Sequence, residues 1–323
     1  MKIALVGVGG MGSVHFNVYK NMPNIELITC DVRLDMLREK VGDLPIRIYS
    51  DMDEMLEKEN PDMVDICTPT YLHAEQAIKA MKSGAHVLSE KPMGLNSAEC
   101  ERILAVVKET GKRYMVAQVV RFMAPYIYLR NAIECGKYGK LESLTLQRFS
   151  QTPMWSWENW MLDAKKSGQV AIDLMIHDVD FMQYVLGEPK QISGAYRELD
   201  DRLTNYGFAN YIYDGFAVLV ESGWYKDQKT RFQANFKAVF ENGNIILDNS
   251  GKLYDCNEVV DFSDVEKFEK TQINISNVDG YAAEIQYFID CINFGKPNDL
   301  ALGESSAASI ALVERTLDRV IKI

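Results

Sequence analysis

Three side chains suited to proton transfer at a carbon-bound hydroxyl stand out in this sequence. Asp173 and His177 are spaced i and i+4 in a predicted helix over 169–186, so they share one face within hydrogen-bonding reach. An imidazole that is oriented by a carboxylate is a suitable general base near neutral pH. Lys91 follows a predicted strand at 86–89, where a lysine can stabilise the charge that develops on an oxygen as a hydride leaves.

Each of these features also has a structural interpretation. The Asp173–His177 pair could be an ion pair on a helix surface, which contributes little. Lys91 could equally be an exposed residue of a β-turn, and the spacing alone leaves both interpretations open. The bond between Lys91 and Pro92 is a candidate cis peptide, which would fix the direction of the lysine.

The N-terminal residues carry a different signal, a predicted strand that runs into three glycines. Gly7, Gly9 and Gly12 have the G-x-G-x-x-G spacing of a strand turning into a helix whose N-terminal amides hold a pyrophosphate. Asp31 ends the next predicted strand about 20 residues after Gly12, where an acid binds the adenosine ribose diol. This pattern predicts NAD. NADP is less favoured, because Asp31 would repel the 2′-phosphate that Arg33 could otherwise pair with.

The elements that would position these residues follow two different patterns. The first ~120 residues alternate between strand and helix, which predicts parallel βαβ units. The predicted strands are 2–7, 25–30, 46–49, 62–67, 86–89 and 113–117, and the helices are 10–20, 33–41, 52–58, 71–82 and 96–110. After residue 121 we predict a helix at 122–135, a strand at 141–150, the helix at 169–186, β-rich runs at 190–199, 208–224, 231–240 and 244–247, and helices at 280–294 and 303–322. Long runs of this kind indicate antiparallel strands with one exposed face.

Composition excludes several classes of protein. The 323 residues suggest about two domains, and the net charge of −11 argues against nucleic-acid and anionic membrane partners. No apolar run reaches the ~20 residues of a membrane span, and a strand that starts at residue 2 leaves no room for a signal peptide. We therefore expect a cytoplasmic protein. The six cysteines form no C-x-x-C pair, and no cluster has metal-ligand spacing, so we expect no disulfide framework and no metal.

The motifs together resemble those of the Gfo/Idh/MocA family, which is named after glucose–fructose oxidoreductase and inositol 2-dehydrogenase. The motifs are the glycine pattern, Cys67-Thr68-Pro69-Thr70 with His73, Glu90-Lys91-Pro92, and Asp173-Leu-Met-Ile-His177-Asp178, in this order. The resemblance covers essentially the whole chain. It implies a Rossmann NAD-binding domain over 1–120 and an α+β domain with a large, mostly antiparallel sheet over 121–323. It also implies NAD(P)-dependent oxidation or reduction of a CH–OH group in a sugar, an inositol or a related polyol.

Residue by residue, the resemblance and the motifs predict three sets of site residues. The catalytic residues are Lys91, Asp173 and His177. The residues expected to bind the cofactor are Gly7, Gly9, Gly10, Met11, Gly12, Asp31, Val32, Arg33, Thr68, Pro69, His73, Glu90 and Lys91. Those expected to bind the substrate are Lys91, Gln118, Arg121, Trp157, Asp173, His177 and Tyr281. Trp157 is the choice among three nearby tryptophans because aromatic faces stack on sugar C–H surfaces; the alternative is packing at a domain or subunit contact. His15 is expected to pack or cap, and His86 to be structural.

Two departures from the family pattern concern the substrate. The chain reads Ser167-Gly168-Gln169 where the family often has a Gly-Gly pair, so Gln169 could alter the pocket floor or simply begin the helix. It reads Gln118-Val-Val-Arg121-Phe122 where the family often has Asn or Arg-Arg-Phe.

The function has two alternatives to a dehydrogenase of a sugar or polyol. One is an NAD-dependent glycoside-cleaving enzyme that oxidises, eliminates and reduces, and the other is a non-catalytic nucleotide sensor. The exposed face of the second-domain sheet predicts a homodimer or a homotetramer.

Overall fold

The chain forms two compact units in this computed structural model, which describes residues 1–198, 204–226, 229, 231–263 and 279–323. The first unit comprises residues 1–119 with 281–307, and the second comprises 120–280 with 308–323. Residues 281–307 thus belong to the first unit, although they lie within the range expected for the second domain.

The first unit contains a six-stranded parallel sheet. Its strands are β1 (Lys2–Val6), β2 (Glu26–Cys30), β3 (Arg47–Tyr49), β4 (Met63–Ile66), β5 (His86–Glu90) and β6 (Tyr114–Ala117). The helices between them are α1 (Gly10–Tyr19), α2 (Leu34–Val41), α3 (Met52–Glu59), α4 (Thr70–Lys82) and α5 (Ser97–Thr110). The spatial order is β3-β2-β1-β4-β5-β6, with every neighbouring pair parallel. This is the doubly wound order of a Rossmann fold, which places ligands beyond the carboxyl ends of β1 and β4, and it confirms the predicted fold class.

Local signals explain why these elements begin and end where they do. Asn96 precedes α5, and its side-chain oxygen accepts a hydrogen bond from Glu99 N at 2.9 Å. The Glu99 carboxylate in turn accepts from Leu95 N at 2.8 Å, so both groups satisfy amides that the helix leaves unpaired. Gly111 ends the helix with a φ of 64°, which glycine adopts without steric cost.

The second unit is built on a nine-stranded mixed sheet. Its strands are β7 (Leu141–Gln151), β8 (Gln191–Glu198), β9 (Thr204–Ile212), β10 (Ala217–Tyr225), β11 (Gln233–Phe240), β12 (Gly243–Leu247), β13 (Leu253–Asp255), β14 (Glu258–Val259) and β15 (Ile321–Lys322). They lie in the order β14-β13-β12-β11-β7-β10-β9-β8-β15. The β7–β10 and β8–β15 pairs are parallel and the other pairs are antiparallel, which confirms the mostly antiparallel sheet.

Helical segments complete the two units. They are 3₁₀ turns at Val119–Phe122 and Trp157–Leu162, a π-helix at Val170–Met175, and the α-helices α6 (Ala124–Glu134), α7 (Ala164–Ser167), α8 (Ile176–Leu186), α9 (Gly280–Asn293) and α10 (Gly303–Arg319). Among the described residues, no helix combines the length and apolarity that crossing a membrane requires.

The strands β13 and β14 were not predicted, and three predicted elements differ from the structure. The run at 208–224 is two strands, β9 and β10, because Asp214-Gly215 forms a turn in which Gly215 has a φ of 86°. The predicted helix at 169–186 begins as a π-helix and becomes α-helical only at Ile176. The last predicted helix ends at Arg319, and Ile321–Lys322 pairs with β8 instead.

Candidate active site

Two positions of the glycine loop between β1 and α1 have steric limits that only glycine meets. Gly7 has a φ of 84°, and a Cβ there would lie 2.7 Å from the Cys67 carbonyl oxygen. A Cβ on Gly12 would collide with the Gly7 carbonyl, so α1 packs directly on the loop. A Cβ on Gly9 would lie 3.1 Å from the Arg33 guanidinium. Gly7 and Gly12 therefore have the physical roles that a pyrophosphate-binding turn requires, and Gly9 has room that only the mobile Arg33 side chain limits.

Asp31 lies at the carboxyl end of β2 and ties this loop in place. Its side chain is buried, and one carboxylate oxygen accepts a hydrogen bond from Val8 N at 2.8 Å. The other oxygen accepts from Arg33 N at 2.9 Å and lies 3.4 Å from Arg33 Nε. Val32, between them, is 67% exposed. A carboxylate oxygen can accept two hydrogen bonds, so the oxygen that Val8 N contacts retains capacity for one ribose hydroxyl.

His73 links the loops that follow β4 and β5. It is buried, with Nδ1 2.8 Å from the Pro92 carbonyl oxygen and Nε2 2.8 Å from the Thr68 carbonyl oxygen. Burial lowers the pKa of His73, and the two carbonyls act against that shift. Its nitrogens therefore organise the protein backbone, which leaves only a carbon edge for the contact with the cofactor that the sequence predicted. Thr68 Oγ1 donates to Gln76 at 2.6 Å.

Lys91 is partly exposed at the carboxyl end of β5, and its bond to Pro92 is cis, as the sequence suggested. The buried Glu90 carboxylate accepts a hydrogen bond from Lys91 N at 3.0 Å. The other Glu90 oxygen lies 3.3 Å from His15 Nε2. The backbone of Lys91 is thus fixed by the side chain of the residue before it.

A buried polar network under the glycine loop was missed by the sequence analysis. His15 Nδ1 lies 2.8 Å from Asp65 Oδ2, and Tyr19 donates to the same oxygen at 2.7 Å. The Cys67 thiol lies 3.4 Å from His15 Nδ1. Burial would lower the pKa of His15, but Cys67 and Asp65 outweigh it and raise that pKa well above the ordinary value. His15 therefore forms ion pairs and does not cap a helix. The available signal was Asp65, a charged residue in the apolar strand β4.

Asp173 and His177 lie in one helical segment of the second unit, Asp173 in the π-helix and His177 in the first turn of α8. Asp173 and His177 are partly exposed, whereas all the remaining residues from Gln169 to Met182 are buried. An ion pair on a helix surface would have exposed neighbours. Asp173 and His177 are instead the partly exposed polar residues of a buried segment.

Two buried ion pairs hold α8. Asp178, directly after His177, accepts from Arg148 Nε and Nη2 at 3.0 and 2.8 Å, and Arg148 also donates to Tyr126. Asp180 accepts from Arg121 Nε and Nη2 at 2.8 and 2.6 Å. Such bidentate pairs require a defined geometry, so they fix the orientation of α8 and the direction in which the His177 side chain projects from it.

The Arg121 side chain is buried against α8. It is 1% exposed, and its guanidinium lies 4.4 Å from the centroid of the Tyr184 ring. This placement favours holding α8 over the substrate contact that the sequence predicted. Gln118 is likewise 2% exposed, with its amide 3.5 Å from Ser306 Oγ.

The turn that leads into the π-helix is strained. Gln169 has φ 53° and ψ −151°, a region that is essentially reserved for glycine and that costs other residues about 1–3 kcal/mol. Gly168 before it has a φ of 65°, and a Cβ there would collide with Ile172. The backbone N–H of Gln169 donates to Ser167 Oγ at 2.9 Å. A π-helix often marks a functional site, and this one carries Asp173.

The aromatic candidates differ in exposure. Trp157 is 39% exposed. Trp160 instead packs on a buried cluster made of Met161, Val170, Leu174 and Trp224. Tyr281, in the first unit, has its ring centroid 6.4 Å from that of His15.

Two family models match the chain. One, described as "Oxidoreductase family, NAD-binding Rossmann fold", matches residues 1–118, and the other, "GFO/IDH/MocA C-terminal domain", matches residues 126–246. The chain belongs to the Gfo/Idh/MocA family. Membership agrees with the Rossmann sheet of the first unit and with the mixed sheet of the second.

Two relatives show how similar the chain is to individual proteins. The chain is 32% identical over 191 residues to the myo-inositol 2-dehydrogenase of Thermotoga maritima, a match that covers 58% of this chain and 55% of that protein. The chain thus spans a little over half the length of that relative. It is 27% identical over 316 residues to the scyllo-inositol 2-dehydrogenase (NAD(+)) of Bacillus subtilis, covering 92% and 87% of the two chains.

Solved structures of the Gfo/Idh/MocA family show the same fold. The myo-inositol 2-dehydrogenase from Lactobacillus plantarum superposes with a TM-score of 0.80 over 99% of this chain and 96% of its own, at 20% identity. That identity supports the fold alone.

The residues of the first unit fit the NAD that this family's Rossmann domain binds. Gly7 and Gly12 leave no room for a side chain, so a pyrophosphate could approach the loop backbone closely, and the Asp31 carboxylate lies beside the loop. Gly10 and Met11 form the first turn of α1, whose N-terminal dipole favours the same anion.

Proposed function

We propose that this chain catalyses reversible hydride transfer between NAD and a CH–OH group of a sugar, an inositol or a related polyol. The observation that carries the proposal is the placement of Asp173 and His177, which are the accessible polar residues of an otherwise buried segment that Arg148 and Arg121 clamp. The names of the inositol dehydrogenases similar to this chain support the substrate class.

His177 acts as the general base in this proposal. Its imidazole takes the proton of the substrate hydroxyl, and in the reverse direction it returns that proton. Asp173 orients the ring and stabilises the protonated imidazolium. A positioned base of this kind contributes about 10²–10⁴-fold to the rate.

Lys91 stabilises the substrate oxygen. Its ammonium donates a hydrogen bond to the oxygen as the oxygen loses its proton, which offsets the developing negative charge. The Glu90 carboxylate holds the Lys91 backbone, which fixes the point from which the lysine side chain extends.

The first domain, 1–120, would hold the cofactor, and 121–323 would bind the substrate. The loop Gly7–Gly12 binds the pyrophosphate, and Asp31 accepts hydrogen bonds from the adenosine ribose diol. Val32, Arg33, Thr68, Pro69, His73 and Glu90 line the rest of this site. When bound, NAD supplies the hydride acceptor.

A panel of inositols, hexoses and glycosides with NAD tests the proposal. We expect NADH absorbance to rise with at least one polyol, and His177→Ala to abolish that rise. Aglycone release without net NADH would favour the glycoside-cleaving alternative. No turnover of any kind, with NAD bound, would favour a nucleotide sensor.

A further inference from the structure

We propose that Lys40 is a further cofactor-binding residue, whose ammonium supplies positive charge to the glycine loop and thereby stabilises the pyrophosphate of bound NAD. The inference rests on the part of the proposed function that assigns the loop Gly7–Gly12 to the pyrophosphate. Three observations on Lys40 carry it: its link to the loop, the balance of charges around it and its partial exposure.

Lys40 lies in the last turn of α2, and its side chain reaches the glycine loop through Ser13. The Lys40 ammonium donates a hydrogen bond to Ser13 Oγ. The Ser13 hydroxyl in turn contacts two carbonyl oxygens of the loop, that of Gly9 and, at 3.1 Å, that of Val8. Because an ammonium has donors only, the Ser13 oxygen accepts from Lys40 and directs its own proton to the loop. A single hydroxyl therefore separates the Lys40 ammonium from the backbone of the loop.

The part of the loop that Ser13 contacts is the part that faces a pyrophosphate in this fold. Gly9 is the second glycine of the motif, at which the backbone approaches the phosphates closely. It directly precedes α1, and Ser13 N donates to the Gly9 carbonyl oxygen at 2.9 Å in the first turn of that helix. The N-terminus of a helix carries about half a positive charge, to which Lys40 adds a full one.

The charge of Lys40 is not balanced by a neighbouring carboxylate. Arg33, the other cation beside the loop, lies 3.4 Å from the Asp31 carboxylate, so these two charges largely offset each other. Lys40 is bonded to a neutral hydroxyl and forms no ion pair with a carboxylate in the described part of the chain. The chain as a whole carries a net charge of −11. An unbalanced cation held at this loop therefore favours an anionic ligand there.

The Lys40 ammonium is open to such a ligand. Lys40 and Ser13 are both partly exposed, and Ser13 accepts only one of the three hydrogen bonds that an ammonium can donate. The charge also acts without direct contact, because the Debye length at low ionic strength, about 30 Å, exceeds the dimensions of the loop. The pyrophosphate of NAD is a dianion, so its attraction to Lys40 strengthens binding.

Calorimetric titration with three ligands tests the inference. The ligands are NAD, ADP-ribose, which keeps the pyrophosphate but lacks the nicotinamide, and adenosine, which lacks the pyrophosphate. Lys40→Met keeps the length of the side chain but removes its charge, whereas Lys40→Arg keeps the charge. Lys20→Met is the matched control, because it removes the same charge directly after the other end of α1, where Lys20 lies 5.9 Å from the centroid of the Phe16 ring.

We expect Lys40→Met to bind NAD and ADP-ribose about fivefold more weakly than the wild type at low ionic strength, and to bind adenosine equally well. Lys40→Arg and Lys20→Met should stay close to the wild type with all three ligands. Raising the ionic strength from about 0.01 M to about 0.15 M shortens the Debye length from about 30 Å to about 8 Å. The wild type should therefore lose more affinity for ADP-ribose on this change than Lys40→Met does.

Several results would overturn the inference. They are an unchanged affinity for ADP-ribose in Lys40→Met, an equal loss in Lys20→Met, and the same salt dependence in Lys40→Met as in the wild type. A comparable loss of adenosine binding in Lys40→Met would show that the lysine supports only the shape of the loop. The expected changes in binding, in a protein that turns over no polyol, would overturn the proposed catalysis alone. A wild type that binds neither NAD nor ADP-ribose would overturn both.

Discussion

The carboxylate of Asp178 receives two hydrogen bonds from the buried guanidinium of Arg148, and the residue before Asp178 is His177. This relationship joins the helix that carries His177, the proposed general base, to strand β7 of the sheet. Because both partners are nearly inaccessible to water, the pair contributes geometry more than net stability, and its loss leaves a buried charge without compensation.

Removing one partner of this pair should destabilise the fold severely. We expect Arg148→Ala to lower the free energy of unfolding by about 3–5 kcal/mol, measured by urea denaturation. Arg315→Ala is the matched control, because the Arg315–Glu188 pair is half exposed and should cost less than about 1 kcal/mol. Equal losses of unfolding free energy in the two variants would contradict the prediction that a buried ion pair costs more to break than an exposed one.

The catalytic assignments predict losses of rate without loss of cofactor. Lys91→Ala and His177→Ala should each lower kcat by about a hundredfold or more, because each removes a group that acts on the substrate oxygen. Asp173→Asn should affect rate more than substrate binding, since it misorients His177 without removing it. Steady-state kinetics and NAD titration measure both effects. Near-normal turnover in His177→Ala would end the general-base assignment.

The buried His15 predicts a pH-dependent contribution to stability. Its folded pKa lies well above the unfolded value of about 6.5, because Cys67 and Asp65 outweigh the effect of burial. His15 therefore stabilises the fold fully below about pH 6.5, and this contribution is lost as the pH rises through the folded pKa. Urea denaturation should show that His15→Gln costs most near pH 6 and progressively less in alkali. A cost that does not vary with pH would refute the assignment.

Asp31 predicts the choice of dinucleotide. NAD should bind more tightly than NADP, because the carboxylate beside the glycine loop binds a ribose diol and repels a phosphate. Asp31→Ser should narrow the difference by leaving Arg33 to pair with the 2′-phosphate. Direct titration measures both affinities, and a tenfold preference of the wild type for NADP, about 1.4 kcal/mol, would be the opposite result.

The outer face of the nine-stranded sheet predicts self-association. Leu219 and Phe208 lie on it and are only partly buried, and a sheet face of this kind is commonly covered by a second subunit. We propose a homodimer or a homotetramer, which light scattering at micromolar concentration would detect. Leu219→Lys should shift the mass toward the monomer, whereas a wild type that is monomeric would exclude this interface.

The parts that sequence could predict are those with local signals. Apolar runs and helix caps such as Asn96 located the parallel strands and the helices between them. The π-helix could not be anticipated, because the residues from Val170 to Met175 are compatible with either helical hydrogen-bonding pattern. The network around His15 joins α1 to residues 46 to 52 positions further along the chain, so only the charge of Asp65 within an apolar strand indicated it. The strain at Gln169 is a backbone property that appears only once the turn is built.

The course of the chain between its two units bears on how the protein is made. The first unit includes residues 281–307, where Leu302 bridges Met115 of β6 and Ser306 lies beside Gln118. Ribosomes synthesise a chain from its N-terminus, at about 5–20 residues per second. The segment that finishes the sheet's edge is therefore synthesised after nearly all of the second unit. We expect a nascent chain stalled at residue 120 to be more sensitive to protease than one extended beyond residue 307. The stalled chain lacks residues 281–307, which contact the β6 edge of the sheet.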